Sequence, residues 1–352
     1  MSMVIRIGER IGIAARPWVQ PRLGRRWLVL MAVVSIGLWQ ATEHLVRVPA
    51  HPRQDVLVAA ARTALRAQQE IARAKEAKGL LQPAAIDPNR TGLIGPDWSE
   101  ITTTIGDLQA KRTVTNPDLA AALARILITL KPHPGAAVGL ILSGSFVGAN
   151  IAAIAAVESL GLRPVIISSI GASMFGATDP DFTWLDMEAT IARAGIWQAR
   201  STTVVLGGES ALGNSLSAAG QDMLVAAARR NGHEPLNAAQ FENLKPKATL
   251  ALAEAAPGGL VALVSSGGSV LALGTCVDAY RVPTGVVLGR LPCEGGVPGL
   301  IHDFAARGIP VVHILNVKRL ALEWGLPLDP KPLPSIGQNA RVYGPAAFAK
   351  SN

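Results

Sequence analysis

From residue 136 onward, short unbroken apolar runs alternate with longer amphipathic ones. The short runs cover 136–142, 164–168, 202–206, 260–264, 285–288 and 310–314. None has the strict apolar–polar alternation of a strand with one wet face, so each reads as a strand buried on both sides. The longer runs cover 150–160, 184–194, 217–230, 237–256, a short stretch after Gly268, 297–307 and 317–324. Gly161, Gly195 and Asn231-Gly232 close three of them, where a left-handed residue ends a helix. Buried strands separated by helices are joined by crossovers, and crossovers make parallel neighbours. The expected fold is α/β: a mostly parallel, Rossmann-like sheet with helices on both faces. Apolar residues are 49% of the chain and charged ones 16%, ample for such a core.

Residues 1–26 hold six arginines (Arg6, Arg10, Arg16, Arg22, Arg25, Arg26) and one acid, Glu9: +5 of the chain's +8, leaving +3 on the other 326 residues. The basic balance therefore belongs to one tail. With aromatics at 4%, a nucleic-acid partner is not expected. Next comes an apolar run from Trp27 to Trp39, thirteen residues. As a helix it covers ~20 Å, against a hydrocarbon core of about 30 Å. Extension to Val46 gives twenty residues but takes in Gln40, Glu43 and His44. Trp27 and Trp39 stand near the ends, as interfacial aromatics do. The expectation is a retained single-pass signal-anchor at 27–46, with 1–26 cytoplasmic and the main domain outside the cytoplasm. A cleaved signal peptide is the alternative. Its small-residue site is hard to place, because Ala41 follows a bulky Trp39 and 48–50 lies far from the apolar run. Two cysteines, Cys276 and Cys293, exclude a disulfide scaffold and every cysteine-based zinc module. Outside the cytoplasm they could be oxidised together; the sequence leaves their pairing open.

Pro49 and Pro52 break the chain, and Asp55 is expected to cap a helix over 56–78 closed by Gly79. This alanine-rich helix reads as a stalk spanning 50–80. Residues 80–116 are irregular and include a Thr102-Thr103-Thr104 run; Pro117 opens a helix to 130. The α/β domain then spans 81–330, with a weak sub-boundary near Pro257. Residues 331–352, with Pro332 and Pro334, read as an extended tail.

In a parallel sheet, ligands sit beyond the carboxyl ends of the strands. The first strand is followed by Ser143-Gly144-Ser145 and Asn150, the second by Ser168-Ser169, Gly171 and Ser173, and the third by Gly207-Gly208. Ser265-Ser266-Gly267-Gly268-Ser269 follows the fourth, and Asn316 the last, with Lys318 just beyond. Glycine admits a ligand close to backbone amides, and a helix start adds free N–H groups. Taken singly these are ordinary turn residues; their recurrence on one rim reads as a polar cleft for a carboxylate or phosphate. Lys111-Arg112 is the expected clamp for the anion. Four acids, Asp179, Asp181, Asp186 and Glu188, fall within ten residues. Thr183 and Asp186 read as a capping box. Asp179 and Asp181 stay open between turn formation and work on a ligand. No Walker A, G-x-G-x-x-G or G-x-S-x-G pattern occurs, and the six histidines have no ligand spacing. Neither cofactor nor metal is expected.

Several phrases resemble one family: Ile101-Thr-Thr-Thr104, Lys111-Arg-Thr113 with Asn116-Pro117, and Gly144-Ser-Phe146 with Gly148 and Asn150. The others are Ser168-Ser169 with Gly171-Ala-Ser173, Asp179-Pro180 with 182–188, and 308–316. Together they resemble the poly-γ-glutamate system protein, an accessory of bacterial poly-γ-glutamate (capsule) synthesis and export. The resemblance spans about residues 92–330. It implies a role beside the membrane-bound synthase complex and carries no catalytic residues with it. Such a polymer bears one α-carboxylate per residue, which suits the polar cleft. Two readings follow. The first is an anchored accessory that binds the anionic polymer or a precursor. The second is an exofacial amidohydrolase or transpeptidase, with Ser145 or Ser269 as nucleophile and Lys318 as base.

Overall fold

The computed structural model describes residues 24–45 and 50–345. The chain divides into two units, 1–48 and 49–352. In the first, α1 (Arg25–Leu45) contains the whole apolar run, and the side chains of Trp27 to Trp39 on it are exposed. The expected tail of 1–26 lies outside the described residues up to 23, as does Val46 at the end of the expected anchor. Among the described residues, no helix is long and apolar enough to cross a membrane. The unbroken apolar stretch stops at Trp39, short of a full span.

In the second unit the strands are β1 (Thr102–Thr104), β2 (Ala137–Ser143), β3 (Arg163–Ser169), β4 (Ala172–Ser173), β5 (Thr203–Val205), β6 (Ala262–Ser266), β7 (Gly285–Val287) and β8 (Val311–Ile314). Six of them form a sheet in the order β5-β3-β2-β6-β8-β7. Every pairing is parallel except that of β7 with β8. β1 and β4 form a separate parallel ladder that registers Thr102 with Ala172 and Thr104 with Ser173.

Ten helices that border this sheet or its loops are α2 (Gln54–Ala77), α3 (Leu108–Thr113), α4 (Asp118–Thr129), α5 (Val147–Ser159), α6 (Trp184–Arg193), α7 (Ala218–Arg230), α8 (Phe241–Ala255), α9 (Val270–Leu273), α10 (Leu300–Ala306) and α11 (Val317–Trp324). Alternate residues of the central strand feed two cores. Val138, Leu140 and Leu142 face the core shared with α2, α4, α5 and α11; Ala137 and Ile141 face that of α8, α9 and α10. That double burial is why the strands carry no polar alternation.

Four expectations change. The helix read as a stalk does not stand apart. Its buried Leu57, Ala60, Ala61, Ala64, Ala67 and Ile71 pack in one core with α4 and α5. An alanine stripe lets helices approach closely, and a free stalk would leave it in water. Asp55 lies inside the first turn rather than at the cap, which is Arg53. The boundary near Pro257 does not divide the unit, because β6 pairs with β2 at the centre of the sheet. Finally, the tail is not merely extended. A short helix α12 (Ala340–Tyr343) docks on α4. There the Tyr343 hydroxyl donates to Asp118 at 2.5 Å, and Arg125 donates to the carbonyls of Arg341, Val342 and Gly344 at 3.1, 2.8 and 2.7 Å.

Candidate functional site at the carboxyl end of the central strand

The chain leaves β2 toward β3 and β5 on one side, then returns to β6 on the other. The region beyond β2 and β6 is therefore the switch point of the sheet. Asn150 in α5 ties the two strand ends together. Its amide donates to the Ser143 carbonyl at 2.9 Å, and its side-chain oxygen accepts from the Ser266 hydroxyl. Ser143 accepts from the Ser145 N–H at 3.2 Å and starts a short 3-10 turn.

The segment before the sheet closes over this rim. β1 holds β4 in register, and the Met174 N–H continues the ladder to the Thr104 carbonyl at 2.9 Å. The chain then turns at Asp107, which caps α3 by accepting from the Ala110 N–H at 3.1 Å. α3 sits close because Gly148 in the first turn of α5 has no side chain; a Cβ there would lie 2.2 Å from the Val114 carbonyl oxygen. This arrangement delivers Lys111 to the rim. Its ammonium donates to the Ser145 carbonyl and to the Ser173 hydroxyl at 2.6 Å, and it stands 4.6 Å from the centre of the Phe146 ring. The Ser173 N–H in turn donates to the Ser145 hydroxyl oxygen at 2.9 Å.

Lys111 is 3% exposed and makes no salt bridge among the described residues. Burial pulls its ammonium down to about 7, with Asp107 opposing in part. An unpaired charge in a dry site is costly, and release of the proton relieves the cost. Ser173 is 7% exposed, while Ser145, Phe146 and Met174 are half-buried and form the open side of the cluster.

Most of the other rim residues serve the fold. Arg112 is held by Asp329 at 2.6 Å, so neither member of the expected clamp is loose. Lys318 pairs with Asp107 at 2.5 Å, which removes it as the base for Ser145. Ser269 caps α9, accepting from Ala272, and its place there argues against a nucleophile. Ser168 bonds Ser201 at 2.7 Å and the Trp184 indole at 3.1 Å, fully buried. Ser169 and Ser265 are buried, and among the described residues their hydroxyls have no hydrogen-bond partner. Gly144 and Gly171 give room to neighbouring carbonyls rather than to a ligand. A Cβ on Gly144 would lie 2.7 Å from the Ile170 oxygen, and one on Gly171 2.8 Å from that of Leu206. Gly267, at φ +82°, packs against Phe146 and Ser143. Gly207 and Gly208 turn the chain after β5 with φ of +89° and +75°. Gly268 contacts Leu273 and Leu315, and Asn316 is an exposed left-handed residue before α11. Asp179 accepts from the Asp181 N–H at 3.0 Å, an Asx turn. The capping box of Thr183 and Asp186 is present, and Arg230 also holds Asp186, at 2.5 Å.

The sequence places Gly148 among the family-like phrases, and no spacing singles out Gly176. Gly176 lets the loop after β4 lie against the Gly144 carbonyl, 2.7 Å from where a Cβ would stand. The sequence signal was a small residue in a first helical turn and another beside Phe175, which itself holds a left-handed φ of +62°. A groove of about 360 Å³ between α2 and residues 89–91 shares no lining residue with the rim.

No family model matches the chain, and no curated protein or solved structure is similar to it.

Proposed function

We propose that the protein is a membrane-anchored, extracytoplasmic accessory of a poly-γ-glutamate synthesis and export system. It works beside the synthase complex and binds the anionic polymer or a precursor at the rim beyond β2. The observation that carries this reading is a convergence. The phrases that resemble the family lie far apart in the chain, yet four of them meet at one place. The threonine run pairs with 172–173, and Lys111 bonds both the Ser145 carbonyl and Ser173. Half-buried Ser145 offers a hydroxyl to a carboxylate at this rim, above the buried Lys111.

The location rests on two features. α1 presents an unbroken apolar surface from Trp27 to Trp39 behind an arginine-rich tail. Cys276 and Cys293 are joined in a disulfide that closes a seventeen-residue separation, a bond that persists in oxidising compartments. The test is binding of the full-length protein in detergent to poly-γ-glutamate, with poly-α-glutamate as control, at two salt concentrations. Selective binding that survives salt is the expected result. Equal binding of both polymers, lost in salt, would reject the reading. A reporter fused after Asn352 that is active only in the cytoplasm would reject the location.

A further inference from the structure

We propose that Ser173 and Lys111 are the nucleophile and general base of an acyl-transfer site that cleaves an amide, with the Ser145 hydroxyl donating to the oxyanion. The γ-amide of a glutamate chain is its substrate on the reading above, on which that assignment rests.

Four observations carry the proposal. The Lys111 nitrogen lies 2.6 Å from the Ser173 hydroxyl oxygen, within reach for direct proton transfer. The Ser145 carbonyl and the Phe146 ring fix that nitrogen from other sides. Among the described residues no acid is paired with it. Asp107, whose charge acts on it, is engaged by Lys318, and the adjacent Arg112 is engaged by Asp329. The Ser145 hydroxyl accepts the Ser173 N–H and donates to no protein acceptor among the described residues, so its hydrogen remains for a ligand oxygen. Burial supports the assignment, since it brings Lys111 to about 7, where an amine is a working base near neutral pH.

The chemistry balances without a further reactant. The neutral Lys111 amine takes the Ser173 hydroxyl proton as the oxygen attacks the amide carbon. The carbonyl electron pair moves onto its oxygen, which Ser145 stabilises. The C–N bond then breaks, and the leaving nitrogen takes the proton from Lys111. Water completes hydrolysis of the ester by giving a proton to Lys111, which returns it to the Ser173 oxygen. An amine in place of water completes a transfer.

The test uses full-length protein in detergent and a fluorophosphonate probe, which reads the nucleophile without any polymer. The adduct is expected on Ser173 by mass spectrometry, lost in Ser173→Ala and slowed about 100-fold in Ser145→Ala, the size of one oxyanion donor. Lys111→Arg keeps charge and donors but cannot act as a base, and is expected to slow labelling by about 100-fold or more. Ser335→Ala, at an exposed serine outside this cluster, serves as the unchanged control. The pH profile of the wild type needs no variant to fold: its rate should rise with a midpoint near 7. No adduct, an adduct on Ser145, wild-type labelling of Lys111→Arg, or a profile flat between about pH 5.5 and 9 would each overturn the proposal. Labelling of Ser173 without polymer binding would uphold the nucleophile and reject the polymer as ligand.

Discussion

Lys111 and Glu188 both stand in the dry interior beside serine hydroxyls, yet only one of them borders a surface. Glu188 is 0% exposed and accepts from the Ser201 N–H at 3.1 Å and the Ser201 hydroxyl at 2.8 Å. Ser201 continues to Ser168 and the Trp184 indole, all buried. Desolvation pushes Glu188 up to about 7 and the same cause pulls Lys111 down to about 7. The titration of the two groups alone would mark both as sites. Geometry separates them. Every hydroxyl around Glu188 is sealed, whereas the Lys111 cluster ends in Ser145 and Phe146 at the rim of the switch point. The first holds a core together; the second has an open side where chemistry could be done.

Mutation should break the two clusters differently. Glu188→Ala leaves the buried Ser201 N–H without an acceptor and opens a cavity, a loss of about 3 kcal/mol or more read from the urea midpoint. Lys111→Met removes a buried ionisable group at similar volume and should change stability by less than about 1.5 kcal/mol while labelling of Ser173 disappears. If the two variants lose stability equally, Lys111 is a structural element like Glu188.

Gly148→Ala tests how the rim is assembled. The added carbon would lie 2.2 Å from the Val114 oxygen, so α3 must shift. The expected cost is about 1–3 kcal/mol, with labelling lowered as Lys111 moves. An unchanged rate would show that α3 does not position the base.

The two clusters also differ in the sign of their pH dependence. Glu188 has a raised folded pKa, so the folded state holds a proton that the unfolded state has lost between 4.5 and about 7. Its contribution to stability falls as pH rises through that window. Lys111 has a lowered one, so the unfolded state holds the extra proton between about 7 and 10.5, and stability rises there. Asp118, raised to about 6, acts in the same direction as Glu188; Lys75, lowered to about 8, acts with Lys111. Melting temperature against pH should therefore lose part of its acid-side fall in Glu188→Gln and part of its alkaline rise in Lys111→Met. The reverse pattern would contradict the assignments. The smallest effect belongs to Lys318→Ala. It breaks a half-exposed pair with Asp107 and should cost under about 1 kcal/mol.

The six strands of the main sheet were legible because a strand buried on both faces has no polar alternation to blur it; their ends agree within two residues. β1 and β4 were not legible. At three and two residues they exist through pairing with each other, and no local pattern encodes that. The packing of α2 was equally hidden, because an alanine stripe reads the same on a stalk as in a core. At the site, Lys111 and Ser173 were both visible as polar residues. Their partnership was not, since 62 residues separate them and the ladder of β1 on β4 brings them together. Lys318 looked like the base because it follows a strand end; Asp107, from a segment read as irregular, occupies it.

The central claim is that the fold holds Lys111 poised to lose its proton against Ser173. The most direct measurement is an NMR titration of the full-length protein carrying 13C-labelled lysine, with the Lys111 signal assigned by its loss in Lys111→Arg. The account predicts a midpoint close to 7. A Lys111 side chain that stays protonated to its ordinary 10.5 would contradict it.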